Sequence, residues 1–416
     1  MFSKKLSPTR RSKWPRPTLP RTRTLPSLPR SWCSAAFSPQ SVSAAQTEVY
    51  GKLETSIRYM HVNGSDSGNK LEMLNEGSRW GLKIKEDLSS ELSVRGYLES
   101  GFNSDDGALS TSNTLFDRRS ILALNSKTFG EIGFGRMGSV RSTMSPYSLG
   151  LAWMDPFETG YGTDSSISTI FGNDPRSSNM ATWVSPKLSG FRAGLTYSFN
   201  TAGQENTSER LNNRLLSGAL AYQGDRLFVS VSATQQWTPR SSTTLTNAAK
   251  ETLTLKGAPE DAQAYTIGAS YQATDEWKLF AALQYQKGWR SVAGWSANST
   301  VYTQDGFSGK LIQEEGVKGL SALAGFQWQI SSSLRLLGTY MYFDGEQQVA
   351  TSDSASKKLE GSRHVGSAGL EYKLSKVTRV FTVWSYSKAE DDMKSMSDST
   401  GGLTRTMLRA GLQHWF

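Results

Sequence analysis

The chain is 416 residues long and carries 46 Lys and Arg against 37 Asp and Glu, with 38 Gly, 13 Pro, three His and one Cys. Its formal charge of +9 is confined to residues 1–45, where Lys4, Lys5, Arg10, Arg11, Lys13, Arg16, Arg21, Arg23 and Arg30 meet no acid; the remainder is neutral and holds every glycine. A neutral body excludes nucleic-acid binding through a basic face, and the lack of any cysteine beyond Cys33 excludes a disulfide scaffold, a thiolate metal site and a cysteine nucleophile there.

Residues 1–45 are read as a leader or aberrant signal region without a fold, and 46–416 as one domain. Ser43-Ala44-Ala45 before Gln46 has the small-residue form of a secretory cleavage site. The apolar stretch that should precede it is broken by Pro20, Pro26, Pro29 and Pro39 and by Arg21, Arg23 and Arg30. The preferred explanation is a misread start that has lost the true signal.

From Thr47 onward the chain alternates. Val49, Leu53, Ile57 and Tyr59 share one parity, while Lys52, Glu54, Ser56 and Arg58 share the other. That period of two is the signature of a strand with one apolar and one polar face. Trp80, Leu82 and Ile84 then oppose Arg79, Lys83 and Lys85, and Leu92, Val94 and Leu98 oppose Arg95, Tyr97 and Glu99. Continued to the end, the pattern gives sixteen strands, near 47–60, 78–86, 91–102, 116–125, 130–137, 178–185, 190–199, 213–223, 226–237, 263–272, 275–288, 316–328, 333–344, 362–373, 377–388 and 403–416. Short connections such as Gly224-Asp225 and Ser331-Ser332 alternate with long polar ones at 61–77, 103–115, 138–177, 200–212, 238–262, 289–315, 345–361 and 389–402. Apolar runs reach only about five residues, far below the roughly 20 of a spanning helix. An even count of antiparallel strands with turns at one end and loops at the other is the economy of a transmembrane β-barrel. Trp80, Trp183, Trp237, Trp277, Trp328, Trp384 and Trp415 fall near strand ends, as interfacial girdles require. The chain closes on Phe416, with Leu412 and Leu408 at alternating positions, in the form of a barrel-assembly signal.

These residues resemble the trimeric Gram-negative porins of the sixteen-stranded general-diffusion type, in particular the betaproteobacterial ones. The resemblance is carried in order by Val49-Tyr50-Gly51, Ser78-Arg79-Trp80-Gly81-Leu82, Leu98-Glu99-Ser100-Gly101-Phe102, Leu115-Phe116-Asp117-Arg118-Arg119, Phe129-Gly130-Glu131-Ile132-Gly133-Phe134-Gly135-Arg136, Ser185-Pro186-Lys187-Leu188-Ser189-Gly190-Phe191, Tyr372-Lys373-Leu374 and Gly411-Leu412-Gln413-His414-Trp415-Phe416. It implies an all-β, 16-stranded antiparallel barrel, assembled as a homotrimer in the outer membrane with its lipid and the barrel assembly machinery as partners. It also implies a third loop, here about 138–177, folded inward. Asp155, Glu158, Asp164 and Asp174 on that loop would then face basic side chains of the wall. By parity those are Arg79 and Arg119 first, then Arg58 and Arg95, with Arg136 at the end of its strand where the loop turns in. Lys52, Lys83, Glu99, Arg405 and Arg409 line the remaining lumen, whereas Arg118 points outward by parity. Any one of these charges is read equally well as a solvated face.

No reaction chemistry is legible. His61, His364 and His414 are scattered, and no carboxylate–His cluster has metal spacing. Gly133-Phe134-Gly135-Arg136-Met137-Gly138 fits G-x-G-x-x-G but lacks the helix a dinucleotide site needs. Neither enzyme activity, cofactor nor metal is expected. Opposed charges across a narrow passage orient dipolar solutes and set ion preference. Thr182 stands where the family often has a basic residue before the aromatic Trp183, so weak selectivity is expected. The function read from the sequence is passive diffusion of small hydrophilic solutes and ions. A substrate-specific channel is the alternative within transport, with a surface adhesin or receptor behind it.

Overall fold

The computed structural model describes residues 44–416 apart from 64–68, 163, 240, 258–259, 297–300, 305, 311–314, 353–354 and 397–403; the leader through Ser43 lies outside the described residues. Sixteen antiparallel strands close on themselves. β1 is Gln46–Asn63, and β2 comes in two stretches, Asn69–Asn75 and Arg79–Asp87. β3 (Leu92–Gly101), β4 (Arg119–Ser126), β5 (Gly130–Met137), β6 (Ser177–Val184), β7 (Phe191–Ser198) and β8 (Arg214–Gln223) follow. The second half is β9 (Leu227–Trp237), β10 (Ala262–Gln272), β11 (Trp277–Trp289), β12 (Val317–Gln329), β13 (Leu334–Ser352), β14 (Ala355–Lys373), β15 (Thr378–Ala389) and β16 (Thr404–Trp415). Each strand pairs with its sequence neighbour. β16 completes the ring against β1 from Lys52↔Trp415 to Asn63↔Thr404.

The closing seam is tight because residue 51 is glycine. Gly51 and Phe416 exchange backbone hydrogen bonds of 2.9 and 3.2 Å. A Cβ at Gly51 would fall 2.2 Å from the Phe416 ring, so any larger residue would push the terminal aromatic off the first strand.

Burial follows the period of two. On β1, Val49, Leu53 and Ile57 are 63%, 44% and 54% exposed, whereas Lys52, Glu54 and Ser56 are 5%, 0% and 2%. The same inversion recurs on β11, where Leu279 and Leu283 are exposed and Gln284 and Gln286 buried. Apolar side chains outward and polar ones inward is the reverse of a water-soluble core, and an apolar outer band of this kind is stable against lipid. Trp277 and Trp328, paired across β11 and β12 at their turn ends, stack at 5.1 Å.

Two segments expected as loops are strands. Residues 69–75 extend the second strand along β1, from Thr55↔Asn75 to His61↔Asn69. β13 and β14 stay paired from Leu334↔Tyr372 to Ser352↔Ala355, across most of the expected loop 345–361. Beyond the lipid band both sheet faces meet water, so the apolar alternation fades while the backbone ladder continues. Cross-strand charge takes its place on the outer face, with Lys318 on Glu346 at 2.8 Å and Lys358 on Glu346 at 2.7 Å. The connection 238–262 contains its own hairpin, Ser241–Thr246 with Thr252–Gly257.

Candidate functional site: the inner wall and the third loop

The inward parity of β2 to β4 gathers arginines around one carboxylate. Glu99 lies directly across the ladder from Arg119 and from Gly81, two residues after Arg79. It accepts from the Tyr50 hydroxyl at 2.9 Å and from Arg118 Nε at 2.7 Å. Arg79 Nε and Arg119 Nη1 stand 3.7 and 3.6 Å from its Oε2. Arg79 also stacks over the Trp415 ring at 4.8 Å, which fixes its planar head without consuming its charge. Arg176, where the third loop ends, has its pKa pushed down by burial and then by the repulsion of Arg118. A single acid thus answers several guanidinium groups, and this stretch of wall is positive.

The other sequence-predicted wall residues are placed as follows. Lys52 pairs with Glu54 at 2.6 Å and Arg95 with Glu131 at 2.7 Å. Arg58 donates through Nε to Glu72 at 2.9 Å, high on the strand extension. Lys83 meets Glu48 at 2.8 Å in an exposed pair. Arg409 pairs with Glu76, and Arg405 Nε donates to Asp164 at 2.8 Å. Arg136 has the parity of the exposed Ile132 and Phe134, so it belongs to the outer face. There it donates to the Asp117 carbonyl at 2.6 Å and to Ser178 Oγ at 3.2 Å. Arg118, assigned outward by parity, precedes the first paired residue of β4, and its side chain turns onto Glu99.

Residues 138–176 connect β5 to β6 and bond to inward-parity side chains of distant strands. The Pro156 carbonyl accepts from Gln327 of β12 at 2.6 Å, and the Ile170 carbonyl accepts from Ser321 of β12 at 2.6 Å. The Gly172 amide donates to Gln286 of β11 at 2.6 Å, and the Asp164 carbonyl accepts from Ser367 of β14 at 2.8 Å. At the loop's root, Arg141 and Asp174 are both fully buried. They pair at 3.4 Å, while Ser139 donates to Asp174 at 2.6 Å and Arg141 also donates to Gln284 and the Gly172 carbonyl. Thr182 is buried beside them. Its hydroxyl meets Thr196 at 2.9 Å, and Thr196 accepts the Val140 amide at 3.1 Å. Thr182 is therefore part of the seat for the loop's root.

The four loop acids divide into two kinds. Asp155 is buried and receives the amides of Phe157, Thr159 and Ile167 at 3.0, 3.2 and 3.1 Å and the Ser166 hydroxyl at 3.1 Å. Burial raises its pKa to about 6 despite those donors. Asp155 thus shapes the loop itself, and Asp174 does so while also accepting from Gln236 of β9 at 3.2 Å. Glu158 and Asp164 reach the wall, Glu158 to Arg335 at 2.8 Å and Asp164 to Arg405. Burial opposes the ionised form of Glu158, yet Arg335 holds its carboxyl below the usual range. Arg335 is shared with Glu371 at 2.7 Å, and Arg379 reaches both Glu371 at 3.5 Å and the Tyr161 hydroxyl at 3.3 Å.

Sequence reasoning missed Arg335, Glu371 and Arg379, although the parity argument used on β1 to β4 finds all three when carried through β13 to β15. Arg141 and Arg176 carry no such signal, because a loop has no period.

A closed barrel with an apolar exterior and a long loop that bonds to polar inward side chains and packs apolar residues against Phe228, Phe280 and Phe343 of the inner wall defines the outer-membrane channel class. The profile of the Gram-negative porin family matches residues 32–392. The chain belongs to that family, whose members are outer-membrane channels and not enzymes. An outer membrane porin protein of Bordetella pertussis is 28% identical over 393 residues, covering 87% of this chain and 94% of that protein. The solved anion-selective porin from Comamonas acidovorans superposes with a TM-score of 0.63 at 21% identity, over 89% of this chain and all of that one. The trimer form of OmpT from Vibrio cholerae superposes with a TM-score of 0.56 at 14% identity, over 90% of this chain and 100% of that one.

Proposed function

We propose that the chain forms a homotrimer of water-filled pores for small hydrophilic solutes and ions, each narrowed by residues 138–176 lying within the lumen. The observation that carries this reading is the loop's attachment to Gln327, Ser321, Gln286 and Ser367, all on the parity opposite the lipid-facing leucines. Flow is passive and involves no catalytic step. The passage left open runs between the loop and the β2 to β4 wall, where Arg79, Arg118 and Arg119 outnumber Glu99. Selectivity is weak and leans toward anions, because elsewhere each loop acid that reaches the wall is paired with an arginine. The trimeric OmpT form supports the assembly state, and Phe416 is the signal read by the assembly machinery on the way to the lipid bilayer. The domain proper runs from residue 46, with 1–45 a leader.

Liposome swelling and planar-bilayer conductance test the reading. Sugar-permeable liposomes and current steps in groups of three are expected. A protein that inserts but passes neither sugar nor ions would be a plugged adhesin or receptor barrel.

A further inference from the structure

One inward-facing lysine stands apart from the paired charges. Lys278, the second residue of β11, has no carboxylate within ion-pair distance among the described residues, and its Nζ rests 5.0 Å over the Phe280 ring. It lines a pocket shared with Trp153, Glu158 and Gln327. Trp153 is 40% exposed although it belongs to the loop and not to the outer wall. One of its faces stacks on Phe228 at 5.4 Å and 23°, and its Nε1 is held by the Ser148 carbonyl at 2.9 Å. The indole is thus locked flat. Glu158 gives its Oε1 to Arg335 and Gln327, while Oε2 has no partner among the described residues and the side chain is 54% exposed. Lys278 begins its strand just after a short turn and Gln327 lies near the end of the next strand, so the pocket lies near the short-turn end, which is periplasmic in such barrels.

A fixed aromatic plate, an unpaired ammonium and an open carboxylate oxygen in one pocket match a ligand with a flat ring and charges of both signs. We propose that this pocket is a binding subsite for aromatic amino acids on the periplasmic flank of the third loop, an inference that rests on the channel reading above. The ring lies on Trp153, the solute carboxylate meets Lys278, and the solute ammonium meets Glu158. Local charge favours the zwitterion over a plain anion. Glu158 and Glu371 already face Arg335 and Arg379, so a net negative solute meets a carboxylate in the same pocket as Lys278.

The test is single-channel recording on the purified full-length protein, with solutes added on both sides. Open-channel current in KCl comes first; if it is absent, the channel reading and this subsite fall together. With current present, L-tryptophan is expected to interrupt it and L-alanine is not. Trp153→Ala should weaken L-tryptophan roughly tenfold while keeping open-channel current. Lys278→Met should weaken L-tryptophan and indole-3-propionate but not tryptamine. Glu158→Gln should weaken L-tryptophan and tryptamine but not indole-3-propionate. Equal interruption by alanine and tryptophan, or a Lys278→Met effect as large on tryptamine as on indole-3-propionate, would overturn the assignment and leave the channel standing.

Discussion

The β2 to β4 wall and the β12 to β16 wall are built from the same residue types and use them in opposite ways. On the far wall Arg335 and Arg405 each hold a loop acid, Glu158 and Asp164, so the charges serve as hooks for residues 138–176. On the near wall Arg79, Arg118 and Arg119 converge on Glu99, and no loop acid reaches them among the described residues. The difference teaches that a charge on the inner face has no fixed role. A paired guanidinium bonds a loop acid to the wall, and an underpaired one keeps a charge that its single acid does not cancel.

The sharpest way to break this contrast is at the loop's root. Removing one partner of a buried ion pair strands the other charge, which costs about 3–5 kcal/mol. Arg141→Ala should therefore lower the unfolding free energy from denaturant titration by that amount and raise current noise, whereas Arg79→Ala on the near wall should leave it close to wild type. Equal losses would erase the distinction between hooks and free charges.

Acidity probes the pinned side next. Asp155 has an ordinary pKa of 3.8 and a folded value of about 6. A raised folded value means the fold favours the protonated form. Its contribution is full below pH ~4 and is lost as pH rises through about 6, a difference on the order of 3 kcal/mol. Thermal midpoints from pH 4 to 7.5 should fall across that window, and Asp155→Asn should flatten the slope. A wild-type slope of the opposite sign would contradict the burial argument.

Permeation sharpens the other side. Arg79→Gln with Arg119→Gln should lower the anion-to-cation permeability ratio several-fold, read as a reversal potential in a KCl gradient. Arg335→Gln should change it less, because the freed Glu158 and the lost arginine lie at a site already balanced by Glu371 and Arg379. The smallest effect belongs to the outer rim. Lys358→Ala breaks only solvent-exposed pairs with Glu346 and Glu360 and should leave the thermal midpoint unchanged.

The alternation of Val49, Leu53 and Ile57 with Lys52, Glu54 and Ser56 was enough to place the strands, their inner and outer faces and the closed barrel. A strand's side chains have only two directions, and lipid and water sort them locally. Arg79, Arg119 and Glu99 were legible for the same reason, as were Arg335, Arg379 and Glu371 once the rule is carried around the ring. The strand extensions at 69–75 and 345–352 escaped because the sorting solvent is the same on both faces above the lipid. Arg118 and Arg136 reversed their expected sides, since one precedes its strand and the other keeps the outward parity of Ile132 and Phe134 to the strand's end. What the sequence could not decide was the third loop. Which acids turn into the loop, as Asp155 does, and which reach an arginine 177 or 241 residues away, as Glu158 and Asp164 do, depends on where a nonperiodic chain settles against the inner wall. That outcome is fixed by three-dimensional contact, and the flat, open face of Trp153 is its clearest product.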